Sequence, residues 1–184
     1  MGIKNSGFTL IEMLMVLGII AVIMPAIMSI SYAILTQQLR IYRLTETKRQ
    51  GDYIINIMKE KIARDARALY DNVAGANVCA GAGTSFSSPS GTTFDFVNDN
   101  GDTFSFRQVG NNMVFNDNTI LPVITSYLND TRVTITNLTI ECVRKTLLTH
   151  PLVGFSFDIT FVDSTPTVRE GVSSLHYQTK VKLR

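Results

Sequence analysis

The chain has 184 residues, of which 45% are hydrophobic and 17% charged, and its mean hydropathy is +0.16. That length holds one globular domain of ordinary size with an appendage, and that composition excludes a disordered or supercharged polypeptide. A net charge of +2 lacks the concentrated basic surplus of a dedicated nucleic-acid binder, and two cysteines exclude both a disulfide-dense miniprotein and a four-thiolate zinc site.

The apolar residues are concentrated at the start of the chain. From Met13 to Leu35, 23 residues pass without a charged side chain. As a helix at 1.5 Å per residue they span roughly 35 Å, enough for a bilayer core of about 30 Å. Lys4 precedes the run, and Arg40, Arg43, Lys48 and Arg49 follow it. A secretory signal peptide cut after Ser31 (in Ser29-Ile30-Ser31) fits poorly, because its apolar region would normally span about 7–15 residues and Pro25 interrupts this one. A plain signal-anchor fits the hydropathy but leaves Glu12 unexplained. A carboxylate costs up to about 3 kcal/mol at mid-bilayer and less near the interface, so Glu12 calls for a partner. In the intact chain the nearest cation, Lys4, lies eight residues back across a Gly-containing segment. A cut between Gly7 and Phe8 would create an α-amino cation one helical turn from Glu12, or beside the Glu12 of a neighbouring subunit.

The leader Lys4-Asn5-Ser6-Gly7, followed by Phe8-Thr9-Leu10-Ile11-Glu12 and the apolar run, resembles the processing site of type IV prepilins and type II secretion pseudopilins. The resemblance covers about thirty residues. It implies that a prepilin peptidase cuts after Gly7 and N-methylates Phe8, and that Glu12 guides subunit registration in a filament. Methylation keeps the amine cationic. A buried ion pair adds little net stability but penalises any subunit shifted along the axis. The resemblance further implies a single-pass protein of the bacterial cytoplasmic (inner) membrane with its head outside, later extracted into a periplasmic or cell-surface filament. The implied partners are other pilin or pseudopilin subunits, an assembly platform protein and an ATPase; no cofactor and no direct nucleic-acid binding is expected. Pro25 lies a few residues nearer the N-terminus than the proline usual in pilin helices. The rival reading is a signal-anchored extracytoplasmic binding or adhesin module, with the helix as a tether.

Residues 36–72 carry 8 basic and 5 acidic side chains. Ile54, Ile55, Met58, Ile62, Ala66 and Leu69 recur at helical spacing, which predicts an amphipathic continuation of the membrane helix with Gly51 as a local bend. Asp71-Asn72 and Gly75 read as stop signals. The basic residues after the span run against the positive-inside tendency, so charge alone leaves the topology open.

Residues 74–92 read as a small-residue loop, and Gly81 and Gly83 lack the Lys-Ser/Thr of a phosphate loop. Thr93–Val97 and Thr103–Phe106, alternating aromatic and polar residues around Asn100-Gly101, predict a hairpin. Further strands are predicted at Met113–Phe115, Val133–Cys142, Leu152–Val162 and Ser173–Leu183. The expected fold is α+β: a long N-terminal helix packed on an antiparallel β-sheet head. Its segments are a leader (1–7), a membrane or filament-core helix (8–35), the amphipathic continuation (36–72) and a β-rich head (73–184).

Asp95, Asn98, Asp99, Asn100 and Asp102 lack EF-hand spacing and read as turn chemistry rather than a calcium site. Asn129-Asp130-Thr131 and Asn137-Leu138-Thr139 match glycosylation sequons, a short motif common by chance. With the head outside, Cys79 and Cys142 lie in an oxidising compartment, and a bond between them is expected to stabilise by about 4 kcal/mol. The chain contains no Gly-x-Ser-x-Gly, His-Glu-x-x-His or Cys-x-x-Cys, and its two histidines, His150 and His176, read as loop and strand residues, so no catalytic or metal site is expected.

Overall fold

The computed structural model describes residues 9–72, 75–83, 85–89, 94–118, 122–162 and 174–184. The chain divides into two compact units, Met1–Tyr42 and Arg43–Arg184. Helix α1 (Leu10–Asp65) makes up most of the first unit and opens the second.

In the first unit every large apolar side chain from Leu10 to Leu35 is solvent-exposed. The stretch is long and apolar enough to cross a membrane, and none of it is buried inside the protein. A helix apolar all round is stable only where something other than water surrounds it.

The second unit begins on the same helix, but there a stripe is buried: Thr47, Gly51, Ile54, Met58 and Ile62, at steps of four and three residues. That period places them on one face. The face joins a core with strand residues Phe94, Phe96, Phe104, Phe106, Ile135, Ile140, Phe155 and Phe157, all within 2% of complete burial. Each buried apolar side chain of this size contributes about 1.5–3 kcal/mol relative to exposure.

Among the described residues ten strands follow: β1 (Ala68–Asp71), β2 (Ala76–Asn77), β3 (Ser85–Pro89), β4 (Phe94–Val97), β5 (Thr103–Val109), β6 (Asn112–Asp117), β7 (Ile124–Tyr127), β8 (Val133–Val143), β9 (Leu152–Phe161) and β10 (Ser174–Lys182). They form two antiparallel sheets, ordered β2-β1-β4-β5-β6-β7 and β10-β9-β8-β3. The α+β expectation holds, with the helix packed on antiparallel strands. The single sheet expected from the sequence is two sheets. Ten strands at about 4.8 Å spacing are far wider than one helix of about 10 Å can cover. The apolar faces of the two sheets therefore meet in one core. Ile135 N–H donates to Asn111 O at 2.8 Å and Leu138 N–H to Gln108 Oε1 at 3.1 Å, tying β8 to the β5–β6 hairpin.

Two local readings are corrected. Helix α1 stops at Asp65 rather than near residue 72. Ala66 N–H makes a last helical bond to Ile62 O, and Arg67 N–H turns to Val97 O at 2.8 Å, where β1 pairs with β4. Leu69 is thus buried by strand alternation, not helical period. Asp71 ends β1, and Gly75, at φ 63°, makes the turn into β2. The segment that reads as one loop contains β2 and β3, and β7 is a further strand whose four residues carry no clear apolar alternation. Gly51 is the seat of Tyr177 on the helix. A Cβ there would lie 2.8 Å from Tyr177 Oη and closer still to Cε2 and Cζ. Tyr177 stacks on Phe157 at 5.5 Å and donates its hydroxyl to Lys48 O at 3.0 Å.

The hairpin forms as expected, with Gly101 at φ 85°. Asn98 Oδ1 accepts from the N–H groups of Asn100 and Asp102, both at 2.9 Å, so the Asn/Asp cluster is a self-bonded turn. Asp99 pairs with Arg67, and buried Asp95 pairs with Arg107 at 2.9 Å and accepts from Asn72 at 2.5 Å. Each carboxylate already has its own partner.

Candidate functional site

The site begins at the N-terminus of α1, where four backbone N–H groups have no helical acceptor. Thr9 occupies the cap position: its carbonyl accepts from Glu12 N–H at 3.1 Å and Met13 N–H at 3.3 Å. Glu12, three residues on, turns back so that Oε2 accepts from Thr9 N–H at 3.4 Å and from Thr9 Oγ1 at 3.3 Å. This is the Glu half of a capping box, and a carboxylate here also meets the positive end of the helix dipole. The Thr9-Leu10-Ile11-Glu12 spacing carried that signal.

The cap bonds are long, and Glu12 sits among Leu10, Ile11, Met13 and Leu14, all well over half exposed. Among the described residues no cation lies against Glu12. The arrangement is a carboxylate held by long bonds to its own helix end. Gly7 and Phe8, the expected processing positions, lie outside the described residues.

In the second unit Cys79 and Cys142 are bonded, with Cα atoms 6.1 Å apart and a separation of 63 positions in sequence. The bond ties the turn after β2 to β8, and both sulfurs are buried. The two histidines are apart: His150 lies in the β8–β9 loop, and His176 Nδ1 sits 2.7 Å from Asp158 Oδ1. Asn137, at φ 56° in a β-bulge, donates to Asp158 Oδ2 at 2.7 Å. The Asn137 amide and then the His176 ring hold the Asp158 carboxyl below the usual carboxylate range. The sequon asparagines are both engaged: Asn129 accepts from Met113 N–H at 2.7 Å and donates to Val133 O at 3.0 Å. Among the described residues no three His, Cys, Asp or Glu side chains converge to hold a metal.

Sequence reasoning missed three residues that organise this unit. Glu46 is buried on α1, and Arg49, bonded to it at 2.7 Å and 3.0 Å, holds its carboxyl below the usual range. Tyr177 is locked over Gly51, and burial, with Asp52 nearby, pushes its phenol up to about 12. Arg144 binds the loops on either side of the disulfide. None belongs to a motif; only Gly51 inside a helical pattern hinted at a close approach.

One family model, described as the prokaryotic N-terminal methylation motif, matches residues 3–24. No curated protein matches the chain, and no solved structure does.

Proposed function

From the N-terminal methylation motif that this chain shares with the type IV pilins and pseudopilins, we propose a specific role: a minor pilin or pseudopilin, cut after Gly7, N-methylated on Phe8 and assembled through α1 into a filament. The motif points to a structural protein rather than an enzyme. The observation that carries the reading is Glu12, an ionisable group at the edge of an exposed apolar helix and lying within the matched segment.

The residues act as follows. Residues 1–7 are the leader, and Gly7 removes side-chain bulk where a peptidase must reach the backbone. Before assembly the 8–35 segment spans the inner membrane and Glu12 shares the donors of Thr9. In the filament the apolar helix leaves lipid for neighbouring subunits. The methylated amine of a neighbour then replaces Thr9 as the partner of Glu12, since a cation adds a Coulombic attraction that the neutral donors of Thr9 lack. A subunit out of register leaves that carboxylate buried and unpaired, at a cost of about 3–5 kcal/mol. A prepilin peptidase, a platform protein and an ATPase are the implied machinery.

The test is the mature N-terminus. Intact-mass and peptide mass spectrometry of the protein from membranes is expected to find N-methylated Phe8. An intact Met1, or a cut after Ser31, would overturn the reading.

A further inference from the structure

A cleft of about 390 Å³ opens in the second unit beside the disulfide, and its described lining includes Arg67, Arg144, Arg184, His150 and Leu148. No acidic side chain is among that lining. Arg67 is matched by Asp99 at the rim. Among the described residues Arg144 has no such match. Its Nε donates to Thr146 O and Thr149 O at 3.3 and 3.1 Å, and its Nη1 to Cys79 O and Ala80 O at 3.4 and 3.0 Å. Among the described residues Nη2 makes a single bond, to Leu147 O at 2.6 Å, which leaves its second N–H for an incoming oxygen. Carbonyl dipoles fix the guanidinium in place without neutralising it, and among the described residues no carboxylate touches it. Arg184 is anchored through its backbone N–H on Ala66 O at 3.2 Å, and its side chain is exposed. Arg144 therefore brings to the recess a positive charge that no carboxylate among the described residues touches, and a recess focuses that field on whatever enters it.

The lip of the cleft is apolar and held in place. Arg144 and the Thr149 Oγ1 bond to Thr146 O at 2.9 Å close the β8–β9 loop, which presents Leu147 at 65% and Leu148 at 97% exposure. With the loop backbone already held, covering the two leucines orders only their side chains.

We propose that this cleft binds an acidic peptide segment of a partner protein. One of its carboxylates seats against Arg144 and Arg184, and a neighbouring aliphatic side chain lies on Leu147 and Leu148. The volume suits a few residues rather than a domain face. Nucleic acid fits less well, since no aromatic side chain among the described lining offers a stacking surface for a base. The inference rests on the second unit alone and stands or falls separately from processing at Gly7.

The experiment is a fluorescence-anisotropy titration of full-length protein, in an uncharged detergent at low salt, with fluorescein-labelled acetyl-Leu-Glu-Glu-Leu-amide. The acidic peptide is expected to bind at least about tenfold tighter than its Gln counterpart, the range for a hydrogen bond to a charged group. Arg184→Ala is expected to weaken it about fivefold to tenfold, and Leu148→Ala about threefold to fivefold, by the loss of methylene contacts. Leu148 is nearly fully exposed, so its variant cannot fail through misfolding. Equal binding of the acid and amide peptides, or unchanged affinity in both variants, overturns the proposal. So does undiminished binding of the peptide with Ala in place of Leu together with competition by equimolar inorganic phosphate, which would make this a simple anion site.

Discussion

Replacing Gly51 with Ala sets two known effects against each other, and the structure decides the sign. In an exposed helix interior the change would stabilise by about 1 kcal/mol through backbone entropy. Here the new methyl overlaps the Tyr177 ring, which is backed by Phe157 and cannot retreat in place. To make room the ring must swing out. It then forfeits the stacking, about 0.5–1.5 kcal/mol, and the hydroxyl bond to Lys48 O, about 1 kcal/mol. If the ring stays, overpacking costs about 1–3 kcal/mol. The losses exceed the propensity gain, and Gly51→Ala is expected to destabilise by about 1 kcal/mol net, a fall in Tm of about 2–4 °C. Urea and thermal unfolding of the full-length protein in detergent, followed by tyrosine fluorescence, would measure it. The decisive control is Tyr177→Ala. In that background the ring is gone, and Gly51→Ala should become neutral or stabilising, so the two changes couple strongly in a double-mutant cycle. Stabilisation by Gly51→Ala in the otherwise unchanged protein would refute the account.

Three further outcomes follow from other parts of the molecule. Glu12→Gln, which keeps the shape and a weak cap but removes the charge, is expected to leave membrane insertion intact and to cut incorporation into filaments by at least about tenfold, assayed by shearing and immunoblotting; unimpaired incorporation would count against charge registration. Cys142→Ala is expected to lower stability by up to about 4 kcal/mol, the chain-entropy value for so long a loop, and dithiothreitol should reproduce the loss in the parent protein but not in the variant. The Tyr177 phenol is raised to about 12 from an ordinary value of 10.0, so the folded state favours its protonated form. Its contribution is complete below pH 10 and disappears as pH climbs from 10 towards 12. Ultraviolet titration should therefore lose its most alkaline tyrosine step in Tyr177→Phe, and the variant should show a shallower alkaline decline in stability.

What could be read from the residues alone was whatever depends on neighbours along the chain. The uncharged run to Leu35, Glu12 at its edge and the Thr9–Glu12 spacing lie within a few turns of one helix, and there composition and local order decide the environment. The Asn98–Asp102 hairpin turn was legible for the same reason: its hydrogen bonds close within five residues. The long strands β8, β9 and β10 announced themselves by alternation over 9–11 residues. The end of α1 was not legible, because Ala66 and Leu69 suit a helical period and a buried strand equally well, and only the pairing of β1 with β4 chooses. The division into two sheets, the seat of Tyr177 on Gly51 and the gathering of Arg67, Arg144 and Arg184 into one cleft join residues 40 to 130 positions apart. Such contacts leave no periodic trace. They exist because strands too numerous for one helix to cover must bury their faces on each other, and that packing decides which distant side chains meet.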